Sequence, residues 1–197
     1  MISIGLTGTI GMGKSTVAGM FAQFGIPTFD ADAEVRSMQG PGGSLVDRIG
    51  ARFPEALSDG VLDRSALRRI VLDDPAELDA LEAIVHPAVK AARALFIKQN
   101  SGAAALLFEI PLLFETGAQS QFDTVVVVSA PAEIQAARVL QRPGMTRARL
   151  DSILARQMPD VDQRAAADFV IDTGGDLSTT KRQVGAIIAC LGLGGSG

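Results

Sequence analysis

The chain has 197 residues, a net charge of −4 and 47% hydrophobic residues, which is typical of one globular domain of ordinary size. No apolar run approaches the roughly 18 residues of a membrane span, and the negative charge and lack of Trp and Tyr disfavour a nucleic-acid surface. The single cysteine, Cys190, excludes an intrachain disulfide, and with a strand pattern that starts at the N-terminus it predicts a cytoplasmic protein without a signal peptide.

Residues 2–24 predict a strand, a glycine-rich loop and a helix in succession. The apolar run over 2–7 is typical of a buried strand, residues 8–15 read G-x-x-x-x-G-K-S, and apolar residues recur at helical spacing over 15–24. This order is the context in which such a loop binds phosphate, because the glycines let successive N–H groups converge on phosphate oxygens. Lys14 is predicted to reach the β- and γ-phosphates and the Ser15 hydroxyl to ligate Mg²⁺, so we expect a bound nucleoside triphosphate.

Further apolar runs alternate with helical patterns, which predicts an α/β fold with a mostly parallel sheet. Besides the first strand, we expect strands at 26–29, 103–108, 125–128 and 168–172 and a last helix over 177–191. The glycine-rich tail 192–197 is expected to be disordered.

Residues 44–100 show no convincing strand pattern and predict a helical insertion that covers a substrate. Ser44, Asp63 and the pair Asp74–Pro75 are expected to begin helices. The pair His86–Pro87 is expected to kink or break the last of them, because proline removes a helical hydrogen bond. His86 either binds substrate or is a hydrogen-bonded core residue.

Acidic residues follow two of the predicted strands, at the sheet edge where α/β proteins bind ligands. Asp32 is placed to take a proton from an acceptor hydroxyl, unless it caps the next helix and Asp30 lies in a solvated turn. Glu109 either orients Mg²⁺ through water or has a capping or surface role.

Five arginines fall between residues 138 and 156, after the fourth predicted strand. Guanidinium groups bind phosphate with forked hydrogen bonds, so these residues predict a flap that closes over the triphosphate. A solvated helical surface is the alternative. Residues 141–144, Gln-Arg-Pro-Gly, would form the hinge.

The whole pattern resembles the dephospho-coenzyme A kinase family over nearly the full length. The phosphate loop is shared by many families, whereas its combination with the later motifs is much more specific. The matching segments are Gly5-Leu6-Thr7-Gly8, Ile10-Gly11, Gly13-Lys14-Ser15-Thr16, Asp30-Ala31-Asp32, Leu62-Asp63-Arg64, His86-Pro87, Pro111-Leu112-Leu113-Phe114-Glu115, Gln135, Arg138, Arg142, Gln157 and Ala167-Asp168.

The resemblance implies a three-layer P-loop kinase fold around a five-stranded parallel sheet, with ATP, Mg²⁺ and dephospho-CoA as ligands. It implies phosphorylation of the ribose 3′-hydroxyl of dephospho-CoA by a monomer or weak homo-oligomer that binds neither nucleic acid nor membrane. The expected parts are a core over 1–43, 101–137 and 159–191, a CoA-binding subdomain over 44–100 and a lid over 138–158.

By the same resemblance, Asp32 is the favoured base, and Lys14 and Arg142 stabilise the transferred phosphoryl group. The nucleotide would be bound by Gly11, Met12, Gly13, Lys14, Ser15, Thr16, Arg138 and Arg142, the acceptor by Asp32, Arg64 and His86, and the metal by Ser15 and Glu109. The chain departs from the family pattern at Thr9, where glycine is usual, at Met12, where a small residue is usual, and at Glu109, where aspartate is commoner.

The residue patterns by themselves leave two other functions open. One is a different small-molecule kinase, of the nucleoside monophosphate or shikimate type, which would use the same loop and lid. The other is a nucleotide-dependent regulatory protein, although the chain lacks the Asn-Lys-x-Asp motif that reads guanine.

Overall fold

The computed structural model describes residues 1–72 and 74–194, and these residues form the α/β fold that the alternation predicts. In chain order the strands are β1 (Ile2–Thr7), β2 (Thr28–Asp30), β3 (Leu57–Ser58), β4 (Val61–Leu62), β5 (Ala105–Glu109), β6 (Thr124–Ser129) and β7 (Phe169–Asp172). The helices are α1 (Lys14–Gln23), α2 (Ala31–Met38), α3 (Val46–Arg52), α4 (Arg64–Leu72), α5 (Pro75–Gln99), α6 (Ala132–Leu140), α7 (Arg147–Leu154), α8 (Asp160–Ala166) and α9 (Leu177–Cys190). Short 3₁₀ helices span Pro54–Ala56 and Ala118–Gln121.

The main sheet has five strands in the order β2-β5-β1-β6-β7. β1 lies at its centre and is parallel to both neighbours, with Ile4 opposite Leu107 of β5 and Thr124 of β6. β6 is buried over its whole length, as its run of four valines predicts for a strand covered on both faces. Because parallel strands share one carboxyl edge, the segments after β1, β5, β6 and β7 emerge on the same side.

The chain divides into two compact units. The core unit comprises Met1–Phe29 and the chain from Asn100 onward, and the helical unit comprises Asp30–Gln99. The helical unit begins at Asp30 rather than at residue 44, because α2 packs against α5 and so joins the helices that follow it. Each unit has its own apolar cluster of buried residues.

The helical unit contains a two-stranded hairpin that the sequence analysis missed. β3 and β4 pair antiparallel around Asp59 and Gly60, which both have positive φ. An Asp-Gly pair between short apolar runs is a hairpin signal, because it tolerates the left-handed backbone of a tight turn. The prediction of an insertion without strands was therefore wrong at this turn.

Of the kink or break predicted at His86–Pro87, the break was wrong, because α5 continues through Pro87 to Gln99. Packing of α2, α3 and α4 against α5 offsets the hydrogen bond that Pro87 cannot make. Asp63 and Asp74 begin helices as predicted, since their carboxylates accept N–H groups of the first turns of α4 and α5. Ser44 is not a cap, because α3 starts at Val46 with Leu45 at the cap position.

The C-terminal region differs from the prediction at two places. A helix that the sequence analysis missed, α8, follows Pro159. The preceding helix, α7, is capped by the Thr146 hydroxyl and ends at Leu154. The predicted disorder of 192–197 was wrong for Leu193, which packs against the core cluster and donates its N–H to the carbonyl of Ile188. Residues 195–197 lie outside the described residues.

No helix among the described residues combines the length and apolar character needed to cross a bilayer.

The last helix, α9, is held at its start by Asp176. The Oδ1 atom of Asp176 accepts the N–H of Thr179 and the hydroxyl of Ser178, both at 2.7 Å. These bonds favour the charged carboxylate, so the backbone bond from Thr179 and then the side-chain bond from Ser178 lower the pKa of Asp176.

We expect Asp176→Ala to lower the Tm at neutral pH, because α9 loses its cap. The lowered pKa means that the stabilisation is present above the ordinary carboxyl pKa of about 3.9 and fades as pH falls through the lower value of the folded state. The difference in Tm between variant and wild type should therefore shrink as the pH is lowered toward 3. Asp162→Ala, at an exposed position in α8, is the control. A difference in Tm that does not change with pH would contradict this role.

Candidate nucleotide-binding site

The loop between β1 and α1 has a backbone that only glycine adopts readily. Gly8, Gly11 and Gly13 have φ angles of 144°, 82° and 91°. Gly8 and Gly11 are also closely approached by neighbours, since an added Cβ would lie 2.4 Å from the carbonyl oxygen of Val128 or 2.4 Å from Cγ2 of Val139. The predicted phosphate loop therefore has both the conformation and the confinement that require its glycines.

α1 begins directly after Gly13, at Lys14. The first N–H groups of a helix have no acceptor within it, and the helix dipole places a partial positive charge at that end. The side chain of Lys14 curls back over the loop, where its ammonium donates to the carbonyls of Gly8 and Thr9. Main-chain donors and the Lys14 cation are thus gathered around one short loop, which is the arrangement that binds phosphate.

A bracket of side chains from outside the loop holds it in shape. Nε2 of Gln135 donates to Oγ1 of Thr9 and to the carbonyl of Ile10, both at 2.8 Å, and Oε1 of Gln157 accepts the N–H of Ile10 at 3.0 Å. Gln135 is only 6% exposed, so these bonds form in a dry setting where an unmade bond is costly. Gln135 and Gln157 belong to the segments that carry the family resemblance, but the sequence does not reveal what they bind.

The bracket explains the unusual Thr9. Its side chain is 2% exposed, and its hydroxyl accepts the bond from Gln135 that a glycine at this position could not offer. Threonine in place of the family's usual glycine therefore adds a hydrogen bond between the loop and α6.

Met12, the other departure in the loop, lies in the core cluster of buried residues. Its side chain is 2% exposed, its N–H donates to the carbonyl of Thr9 at 3.3 Å, and its own carbonyl accepts the hydroxyl of Thr173 at 2.7 Å. Met12 thus anchors the loop to the protein interior.

A cavity of about 340 Å³ lies beside the loop glycines. Two predicted arginines, Arg138 and Arg142, line it together with residues from the loop, α1 and the segment around the start of α9. Arg138 is fixed in place by Thr173, since it donates to the Thr173 hydroxyl at 3.1 Å and to its carbonyl at 2.7 Å. The remaining lining residues are Gly11, Gly13, Thr16, Thr173, Leu177 and Thr180.

Four of the five clustered arginines divide into two groups. Arg138 and Arg142 line the cavity, whereas Arg147 pairs with Asp151 at 3.0 Å and Arg149 donates to the carbonyl of Gly144 at 3.1 Å. Arg142 is exposed, and none of the described residues accepts a hydrogen bond from its guanidinium. The spacing in the sequence does not separate the two groups, because local partners, Asp151 on α7 and Gly144 before it, decide which arginines are engaged.

Ser15 and Glu109 meet at the carboxyl end of β5, as the metal prediction requires. The Ser15 hydroxyl donates to Oε2 of Glu109 at 3.4 Å, and Glu109 is 9% exposed. Within the described part of the chain no cluster of three or more His, Cys, Asp or Glu side chains is present. A hydroxyl and one carboxylate fit Mg²⁺, which usually takes one or two protein ligands and completes its shell with phosphates and water.

Asp32 lies in the helical unit, exposed in the first turn of α2. The alternative in which Asp32 caps this helix was wrong, because Oδ1 of Asp30 accepts the N–H of Ala33 at 2.9 Å and takes the cap position. No hydrogen bond or ion pair joins the Asp32 carboxylate to another described residue. Its charge is therefore not committed to holding the fold.

The other two predicted acceptor residues, Arg64 and His86, are also in the helical unit, and both are exposed. The core hydrogen-bonding role considered for His86 is therefore wrong. The structure thus gathers the residues predicted to bind nucleotide and metal in the core unit and places Asp32, Arg64 and His86 in the helical unit.

Comparison with known proteins agrees with this geometry. The sequence profile of the dephospho-CoA kinase family matches residues 2–179. The chain belongs to the dephospho-CoA kinase family. A dephospho-CoA kinase of Brucella melitensis is 48% identical over 97% of this chain and 96% of its own length, and one of Mesorhizobium japonicum is 50% identical over 95% of each.

Solved structures agree on the fold. A crystal structure of a Thermus thermophilus protein, 39% identical, superposes with a TM-score of 0.80 and covers 96% of this chain and 97% of its own. A shikimate kinase of Acinetobacter baumannii has a TM-score of 0.55 at 17% identity, covering 100% of this chain and 96% of its own, which shows a shared fold only. Membership in the dephospho-CoA kinase family favours that activity over the nucleoside monophosphate kinase, shikimate kinase and regulatory alternatives.

We expect Gln135→Leu to lower the free energy of unfolding by about 1–3 kcal/mol, because Thr9 and Ile10 lose a buried donor while the volume is kept. The loop should also bind ATP less tightly. Thermal and urea melts, with an ATP titration, measure both effects. Gln119→Leu, at an exposed position, is the matched control and should leave ATP affinity unchanged. Wild-type stability and ATP affinity in Gln135→Leu would contradict the bracket.

Proposed function

We propose that this chain is a dephospho-CoA kinase, which transfers the γ-phosphoryl group of ATP to the ribose 3′-hydroxyl of dephospho-CoA. The products are CoA and ADP, so the reaction is the last step of coenzyme A biosynthesis. The observation that carries the proposal is the cavity joining the loop glycines Gly11 and Gly13 to Arg138 and Arg142, in a chain of this family.

The transfer needs positioning and charge stabilisation more than covalent help from the protein. The 3′-oxygen attacks the γ-phosphorus, the bond to the oxygen that bridges the β- and γ-phosphates breaks, and the hydroxyl proton passes to the carboxylate of Asp32. The structure supports Asp32 for this role, because Asp30 takes over the capping of α2 and leaves the Asp32 carboxylate exposed.

Lys14 and Arg142 are the cations proposed to stabilise the charge on the transferred group. Lys14 already spans the loop that receives the phosphates. Arg142 lines the same cavity with no described partner, so its guanidinium can turn to the triphosphate without breaking a bond.

The triphosphate would lie on the main chain of residues 11–16, with the rest of the nucleotide in the adjoining cavity. Ser15 and Glu109 would hold Mg²⁺, which neutralises phosphate charge when it is bound. Residues 138–158 are proposed as the lid, since they include α7, whose own arginines are bonded locally and can move with it as a group.

The acceptor would be bound by Asp32, Arg64 and His86 of the helical unit, although this assignment rests on the family resemblance. We further place the protein in the cytoplasm as a monomer or weak homo-oligomer.

We expect Lys14→Ala and Asp32→Asn each to lower kcat by at least about 10²-fold, because both groups act on the reacting atoms. ADP release with dephospho-CoA and ATP, followed in a coupled assay, measures the effect. Asp47→Asn, exposed in the first turn of α3, is the matched control for Asp32 and should have wild-type kcat. A wild-type kcat in Asp32→Asn would remove that residue as the base.

Glu109→Gln should raise the Mg²⁺ concentration needed for half-maximal rate by about tenfold, because the buried carboxylate beside Ser15 loses its charge. Mg²⁺ titrations of the initial rate at saturating ATP test this. Glu133→Gln, at an exposed position on α6, should leave the titration unchanged. An unaltered Mg²⁺ dependence in Glu109→Gln would exclude Glu109 from the metal site.

A further inference from the structure

Residues 111–115, Pro-Leu-Leu-Phe-Glu, carry part of the family resemblance, yet none of them has a role in the proposed chemistry. The segment follows β5 and is packed against the sheet by Leu113, which is 0% exposed. Gly5 of β1 leaves room for this side chain, since a Cβ added at Gly5 would lie 3.3 Å from Cδ1 of Leu113. The segment is therefore fixed at the sheet, and its last residue, Glu115, is exposed.

Glu115 accepts a main-chain hydrogen bond from the end of the proposed lid, residues 138–158. Its Oε1 atom accepts the N–H of Met158 at 2.6 Å. Hydrogen bonds to an ionised carboxylate are shorter and stronger than those between neutral groups. This bond therefore joins the segment after β5 to the last residue of the lid.

Two further side chains hold the same end of the lid. The carbonyl of Met158 accepts Nε2 of Gln163 at 3.0 Å, and Oδ2 of Asp160 accepts the hydroxyl of Ser129 at 2.8 Å. Gln163 is 0% exposed, so water does not compete for its amide. Both main-chain polar groups of Met158 are thus bonded to side chains, which gives the lid a fixed C-terminal end.

Gln157, the neighbour of Met158, contacts the phosphate loop. Its Oε1 atom accepts the N–H of Ile10 at 3.0 Å, and the carbonyl of Ile10 accepts Nε2 of Gln135 at 2.8 Å. Gln135 precedes the lid on α6, whereas Gln157 is the last residue but one of the lid. Both main-chain polar groups of Ile10 are thus bonded to side chains at the two ends of the proposed lid.

The position of Ile10 is therefore linked to the position of the lid. The main chain of residues 11–16, which follows directly, is the part of the loop proposed to bind the triphosphate. A shift of about 1 Å in such a site, caused by a change far from the reacting atoms, can lower a rate by about 10²-fold. Whatever fixes Gln157 on Ile10 therefore bears on the reaction.

We propose that Glu115 is a positioning residue for the phosphoryl transfer. By holding Met158 it fixes the C-terminal end of the lid and keeps Gln157 bonded to Ile10. Glu115 acts through these residues and takes no part in the bonds that form and break, so its role requires an acceptor oxygen rather than a negative charge. This inference rests on the proposed function and adds to it a residue outside the nucleotide, acceptor and metal sites.

Steady-state kinetics of the full chain with ATP and dephospho-CoA test the proposal. Glu115→Ala should lower kcat/KM for ATP by about tenfold, because the loop is less well positioned, and leave the KM for dephospho-CoA unchanged. Glu115→Gln should lower kcat/KM for ATP by less than about threefold, because its amide oxygen is still an acceptor of the same reach. Glu133→Ala, at an exposed position on α6, is the matched control and should behave as wild type.

Two results of this assay would overturn the proposal. One is wild-type kinetics in Glu115→Ala. The other is an equal loss in Glu115→Gln and Glu115→Ala, which would show that the negative charge is needed and that Glu115 acts on the metal or the reacting groups directly.

A double-mutant cycle with Gln157→Leu tests whether Glu115 acts through Gln157. Changes at residues that act through one another are not additive. In the Gln157→Leu background, Glu115→Ala should therefore lower kcat/KM for ATP by less than about twofold. Losses that multiply in the double variant would contradict the proposed route from Glu115 to the loop.

Amide hydrogen exchange of the chain without ligands, followed by NMR, separates this inference from the proposed function. Glu115→Ala should speed exchange at Met158 and Ile10 by at least about tenfold and leave the amides of β6 at wild-type rates. If the wild type releases no ADP with dephospho-CoA, the proposed function fails, whereas faster exchange at Ile10 in Glu115→Ala would still support the link. Wild-type exchange at Ile10 in Glu115→Ala would overturn it.

Discussion

The turn from β1 into α1 has to be made in a space already bounded by β6 and α6. Gly8 passes so close to the carbonyl of Val128, and Gly11 so close to Val139, that any side chain would clash at either position. The same positive φ angles that avoid these clashes bring the loop's N–H groups toward one point. The packing of the central strands and the binding of phosphate thus depend on a single backbone conformation.

Because that conformation is strained for most residues, the protein supports it from three sides. The loop is hydrogen-bonded to Gln135 of α6, to Gln157 after α7 and to Thr173 after β7. Met12 anchors it in the core. Buried bonds of this kind fix geometry because leaving them unmade is costly. Preorganised donors are what phosphoryl transfer requires, since the protein's part in the reaction is mainly to position groups and stabilise charge.

The two units divide the chemistry between them. The core unit carries the loop, the arginines Arg138 and Arg142 and the pair Ser15–Glu109, which are suited to a triphosphate and a hard cation. The helical unit carries Asp32, Arg64 and His86. A kinase must bind a donor and an acceptor at the same time, and the residues proposed for these two tasks belong to different units.

The sequence by itself determined the strands of the sheet, the phosphate loop with Lys14 and Ser15, and the caps at Asp63 and Asp74, because these depend on residues close together in the chain. It also indicated the family, through motifs spread over nearly the whole length of the chain. The tertiary structure alone decided that α5 continues through Pro87, that Asp30 rather than Asp32 caps α2, and that Gln135 bonds to Thr9. Those outcomes depend on neighbours distant in sequence, or on which of two equivalent carboxylates faces the helix end. Periodicity and composition carry no information about such choices.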